Sequence, residues 1–177
     1  VATWHANSEY YINRPFEQRD VNISFVGAWD PLRKKFFEVV ERVPITKLSG
    51  LTQDSLFDAH SSSRIGVNLS FNGNDPEGKT QMKQRPFEIV AGGGLLLTQE
   101  HPGLEEFFNS DTRYANIDDV EIVTFESAGE FLVKADFLLR NMHIAEKVAK
   151  KGRERFLAEH DSVVRLAKTI EQIKELS

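Results

Sequence analysis

The chain has 177 residues, 40% of them hydrophobic, which is one domain's worth and enough for a substantial core. A net charge of −5 argues against nucleic acid or an anionic membrane surface as the main partner, and no apolar run approaches membrane-spanning length. With no cysteine, disulfides and thiolate metal sites are excluded, and the expected setting is the cytoplasm.

The start, Val1-Ala2-Thr3-Trp4-His5, has no basic-then-apolar signal pattern and no initiating Met, so the chain reads as an excised fragment. Residues 1–19 lack periodicity. Asp20 to Gly27 then runs apolar through Val21, Ile23, Phe25 and Val26, as a buried first strand does before a glycine turn. Asp30 and Pro31 open a helix with Phe36, Val39, Val40 and Val43 as its apolar face, stopped by Pro44. Ile45–Leu48 is the second strand, a short helix carries Leu56 and Phe57, and Ile65–Phe71 is the third strand. Asn72–Thr80 is polar and holds Gly73, Pro76 and Gly78, the composition of a mobile loop.

The next stretch organises the chain. Pro86 fits the first position of a helix that runs to Ala91, where Gly92 supplies the stop, and Leu95–Thr98 is a fourth buried strand. Lys83, Gln84 and Arg85 crowd the start of that helix, with Glu88 in its first turn. Open backbone N–H groups plus basic side chains make a place for phosphate, whereas the carboxylate suits neutral hydroxyls such as those of a ribose. Beyond lie a short helix over Pro102–Phe108, a loop over 109–119 and a fifth strand, Val120–Phe125. Ser127 with Glu130 forms a capping box for a helix with Phe131, Ala135, Leu138 and Leu139 inward. Helices over His143–His160 and Asp161–Leu176 complete the chain, the last with Val163, Leu166, Ile170 and Ile173 at helical spacing.

Alternating strands and helices imply a Rossmann-like, doubly wound parallel sheet of five strands covered on both faces. Ligands of such sheets lie at the carboxyl ends of the strands. Residues 27–33, 72–85 and 98–103 all fall at that edge.

The segment Arg85-Pro86-Phe87-Glu88 through the triple glycine to Leu95-Leu96-Leu97-Thr98, continued by Gly103-Leu104-Glu105-Glu106-Phe107-Phe108, resembles the donor-binding segment of GT-B glycosyltransferases of the CgeB-like, spore-maturation type. Asp20–Gly27 followed by Arg33, and Lys151–His160, are similar to the same family's domain entry and late helix. The resemblance implies the C-terminal half of a GT-B fold, with residues 1–19 as the linker from a missing N-terminal acceptor domain and 20–177 as the donor domain. It implies a nucleotide-diphosphate sugar as substrate and no bound metal. Arg33 and Arg85 would offset the charge of the diphosphate leaving group, and Glu88 would orient the ribose. Gly27, Lys34, Lys83, Gln84, Phe87, Thr98 and His101 would line the donor site. Many retaining relatives carry a further glutamate eight residues before the first; Thr80 stands there in this chain, which leaves the stereochemical outcome open.

Three other readings compete, the first a P-loop NTPase or kinase. Residues 73–80 match the P-loop pattern Gly-x4-Gly-Lys-Thr after a strand. Against it, Asp75 and Glu77 put negative charge in the phosphate cradle, and Pro86 follows too closely for the long helix a P-loop needs. An epimerase or a non-catalytic nucleotide-binding or interaction domain would share the fold. The five histidines show no metal-ligand spacing.

Overall fold

The computed structural model describes residues 5–71, 80–111 and 116–175. Five strands, β1 (Val21–Val26), β2 (Thr46–Leu48), β3 (Ser63–Asn68), β4 (Leu95–Gln99) and β5 (Val123–Phe125), form one parallel sheet in the order β2-β1-β3-β4-β5. The chain leaves β1 toward β2 and returns to β1's other side as β3. The crossover direction thus reverses between β1 and β3, where such sheets bind ligands.

The described residues form six α-helices: α1 (Pro31–Val39), α2 (Gln53–Ser62), α3 (Arg85–Ala91), α4 (Ala128–Arg140) and α5 (Met142–Glu159) pack about the sheet, and α6 (Ser162–Glu175) packs on α5 and buries none of its residues. Strand periodicity divides the core in two. Leu95 and Leu97 join Phe25, Phe36, Phe125 and Phe131 on one face, while Leu96 joins Phe87, Ile122 and Phe156 on the other. Both faces of β4 are thus dry, which explains its unbroken apolar run.

Several local expectations shift. Phe37, not Val39, completes the inner face of α1; Val39 is exposed. Regular pairing of β3 stops at Asn68, and β5 begins at Val123, with Ile122 making only a single bridge to Ser110. Residues 104–106 form one 3-10 turn, because Gly103, left-handed at φ 87°, sets the chain for a tight turn. In the capping box, Ser127 Oγ accepts from Glu130 N–H, but the Glu130 carboxylate accepts from Glu126 N–H, one residue ahead of the cap. The apolar stripe of α6 faces outward, as does Phe137 on α4. The stretch expected to be a linker lies against the domain: Ser8 N–H donates to Asp161, Ile12 N–H to Ser61 Oγ, and Tyr11 is buried.

Candidate functional site

Helix α3 owes its length to its glycines. Gly93, at φ 77°, donates to the Val90 carbonyl (2.9 Å) and Gly94 donates to the Ile89 carbonyl (3.1 Å), the paired bonds of a Schellman stop. The left-handed residue is therefore Gly93; Gly92 keeps right-handed angles. The N-terminal end of α3 meets the carboxyl ends of β1 and β3. Its amides, however, are largely spent. Phe87 and Glu88 N–H both donate to the Gln84 carbonyl (3.0 and 3.3 Å), and Pro86 has no N–H. The expectation of open backbone donors at this tip is corrected accordingly, and positive charge at the site comes from side chains.

Three cations converge there. The Arg85 guanidinium lies over the Phe25 ring at 5.0 Å, and its Nη1 donates to Asn68 Oδ1 (3.3 Å). Arg33 approaches the same ring at 5.8 Å, donates to the Ala28 carbonyl (3.0 Å) and pairs with Asp30 (3.1 Å). Gly27 leaves room for the Arg85 guanidinium, since a Cβ there would displace Arg85 Nη2. Burial and then the repulsion of Arg33 push Arg85 down to about 10, with Glu88 and Asp30 opposing. Lys83 is lowered by burial, then by Arg33 and Arg85, with only Asp30 pulling the other way. The cations outnumber the anions that face them, so the place favours a polyanion.

Glu88 stands one turn further along α3, between Tyr11, His60 and Arg85. Its side chain keeps 22% exposure, and His60 Nε2 lies 3.8 Å from its carboxylate. No described residue hydrogen-bonds its carboxylate. Burial raises its pKa, and Arg85 partly offsets this. His60, buried and repelled by Arg85, is held down to about 3 and is therefore neutral at ordinary pH, with no hydrogen-bond partner at Nε2. Tyr11 is pushed up by burial and by Glu88. A half-buried carboxylate with open acceptor sites suits neutral hydroxyl donors.

The remaining expected residues separate into kinds. Phe87 has no exposed surface; it packs against Phe107, Phe108 and His160 and anchors α3 from below. Thr98 is equally buried, its hydroxyl accepting from Asn68 Nδ2 (2.9 Å), so it acts by holding the amide that holds Arg85. Gln84 contributes its backbone carbonyl to the start of α3. Lys34 is exposed on α1, while its neighbour Arg33 is buried. His101 is 3% exposed, with Nδ1 on the Pro102 carbonyl (2.9 Å) and Nε2 without a partner. It lines a cleft of about 670 Å3 with Thr80, Gln99, Glu100, Glu105 and Glu126. That cleft is rich in carboxylates, which disfavour a phosphate there. Residues 72–79, with most of the P-loop-like stretch, lie outside the described residues. Among the described residues no three His, Asp or Glu side chains come together to hold a metal, and no helix is long and apolar enough to cross a membrane.

Sequence reasoning missed Phe25 as the platform for two guanidinium groups, Asn68 as the tether of Arg85, and Tyr11 and His60 as the walls of Glu88. Asp30 was legible as a helix cap, and the same carboxylate proves to be the counter-charge of Arg33.

A five-stranded parallel sheet with three basic side chains gathered at its switch point defines a Rossmann-like domain. Residues 12–171 match the family described as glycosyl transferase-like, and the chain belongs to that family. Its fold is shared with GT-B glycosyltransferases of known structure. A glycosyltransferase from Rickettsia africae ESF-5 superposes with a TM-score of 0.68 at 14% identity, over 99% of this chain and 56% of that one. A sucrose-phosphate synthase from Thermosynechococcus elongatus gives 0.64 at 14% identity, over 99% and 53%. An alpha1,3-fucosyltransferase gives 0.55 at 10% identity, over 75% and 38%. The chain thus spans about half the length of the first two, and identities this low establish the fold alone. No curated protein matches the chain.

Proposed function

We propose that this chain is the donor-binding half of a glycosyltransferase that moves a sugar from a nucleotide diphosphate to an acceptor, and that within its family it is of the CgeB-like type. Residues 20–177 would form the donor domain, with 1–19 leading in from an acceptor domain that supplies any catalytic base. The observation that carries the reading is the pairing of an under-compensated cation group, Arg33, Lys83 and Arg85, with an unbonded carboxylate, Glu88, one helical turn away. A nucleotide-diphosphate sugar presents the matching chemistry: a polyanion next to a ribose diol.

Transfer proceeds through an oxocarbenium-like transition state as the bond from the anomeric carbon to the diphosphate oxygen breaks. Negative charge grows on the departing diphosphate, and Arg85 stabilises it there, with Lys83 and the field of Arg33 behind it. Burial against Phe25 strengthens this interaction by excluding water. Glu88 accepts from the ribose hydroxyls and fixes the nucleotide. The reading calls on side-chain cations for charge neutralisation and needs no bound metal ion.

Calorimetric titration of the chain with UDP- and GDP-sugars tests this. Weak binding of one donor class is expected, without turnover, and Glu88→Ala is expected to weaken it ~10-fold or more, the value of hydrogen bonds to a charged acceptor. No heat with either class, or undiminished binding by the variant, overturns the reading.

A further inference from the structure

A second concentration of positive charge lies at the opposite end of α3, beyond its glycine stop. Arg19, just ahead of β1, is 2% exposed. Its Nη1 and Nη2 donate to the carbonyls of Ser63 (3.0 Å) and Arg14 (3.1 Å), while its Nε has no partner. Arg153, half-buried on α5, faces it, and its Nε is also without a partner. Gly93 lets the two approach: a Cβ there would stand 2.6 Å from Arg19 Nη2 and 3.3 Å from Arg153 Cδ. These side chains border a cleft of about 370 Å3 between residues 13–19 and α5.

From this arrangement we infer that the cleft is an anion-binding site, separate from the one at Arg85, that takes the phosphate or carboxylate group of a small organic molecule. No carboxylate of a described residue ion-pairs with either guanidinium. Asp161 attracts Arg153 through space, but its oxygens already accept from Ser8 and Val163 N–H. Glu146 and Glu154 border the cleft on the exposed side of α5, where Lys150 also stands. Burial, then Arg153 and Arg14, lower Arg19 to about 10, so it stays charged at neutral pH. Two buried or half-buried cations that repel each other, neither paired with a carboxylate, are stabilised by an anion placed beside them. Phe16, Ala149 and Leu157 give the cleft an apolar wall for the rest of the ligand, and its volume is that of a small-molecule site.

Nuclear magnetic resonance of the whole chain, following the arginine Nε–H signals and the Gly93 amide, reads the site directly. Inorganic phosphate, glycerol 3-phosphate and acetate are the probes. Saturable shifts of Arg19, Arg153 and Gly93 below ~10 mM of at least one probe are expected, and the probe that saturates names the headgroup. Arg153→Gln, a change at a half-exposed position, should weaken that titration at least ~10-fold with the remaining spectrum intact. Arg85→Met should leave it unchanged, which separates this site from the proposed donor site. Unmoved signals with all three probes, an unaltered titration in Arg153→Gln, or loss of the shifts in Arg85→Met overturns the inference.

Discussion

Two groups of charged side chains flank the same sheet and are built to opposite rules. Beside β5, Lys134 on α4 donates to Asp111 (2.7 Å), Glu130 (2.8 Å) and the Thr124 carbonyl (2.7 Å). Burial works to lower its pKa, yet its hydrogen bonds to Asp111 and Glu130 prevail and raise it. Beside β1, burial and mutual repulsion lower both Arg85 and Lys83, and the nearby acids do not compensate. The sign of the shift therefore separates a network whose charges compensate one another from a group whose charges do not. Both are clusters of Lys, Arg, Asp and Glu, and composition alone does not tell them apart.

Acid is the strongest way to strain the incomplete group. His60, neutral with a folded pKa of about 3, sits between Arg85 and Glu88. In the unfolded chain it titrates near 6.5, so between those values the unfolded state binds more protons. Its contribution is fully present above pH ~6.5 and is lost as pH falls toward the folded pKa, amounting to about 2 kcal/mol by pH 5. His160, lowered to about 4 chiefly by burial, adds a similar slope on the other side of α3. Urea midpoints at pH 7 and pH 5 check this. Wild type should lose more stability on acidification than His60→Leu; equal losses would place a proton-accepting partner at His60 and remove it from the comparison.

That contrast was only half legible in the sequence. Local rules found the elements: Pro31 and Pro86 at helix starts, the glycine triplet after α3, Ser127 as a cap, and period-two or unbroken apolar runs for the strands. Arg33, Arg85 and Glu88 followed from their positions at the edge those elements create. What local rules miss depends on distant pairing. Nothing about His60 marks it as the wall of Glu88, since α2 and α3 meet only through the tertiary fold. The Asn68 to Thr98 bond spans two neighbouring strands whose register periodicity does not specify. The α6 stripe has perfect helical spacing, and spacing says that one face is apolar without saying whether this domain covers it.

Paired truncation sharpens the comparison. Lys134→Met leaves Asp111 and Glu130 facing each other without their shared cation, at a cost of about 1–2 kcal/mol given their partial exposure. Arg85→Met removes a buried charge that its neighbours repel and leaves an apolar stem on Phe25, so stability should change by less than about 1 kcal/mol. Donor binding should respond in reverse, unchanged by the first substitution and lost by the second. Denaturant midpoints and donor calorimetry on both variants supply the four numbers. If both residues prove equally important for stability, Arg85 belongs to a finished network as well.

The smallest expected effect is the most discriminating, because its sign is unusual for a native side chain. Burial raises the Glu88 pKa, so its ionised form is disfavoured in the fold and lowers stability near neutrality. Glu88→Gln keeps the shape and removes the charge, and should stabilise the protein by up to about 1 kcal/mol at pH 7. The difference should shrink as pH falls through the raised pKa, since wild type is then protonated and also neutral. Donor affinity should fall, because an amide offers one acceptor oxygen where the carboxylate offers two. Melting temperatures of the two proteins at pH 7 and pH 4 decide the matter. A less stable variant at pH 7 would mean that Glu88 is already satisfied by protein groups, and a satisfied carboxylate has no reason to reach for a ribose.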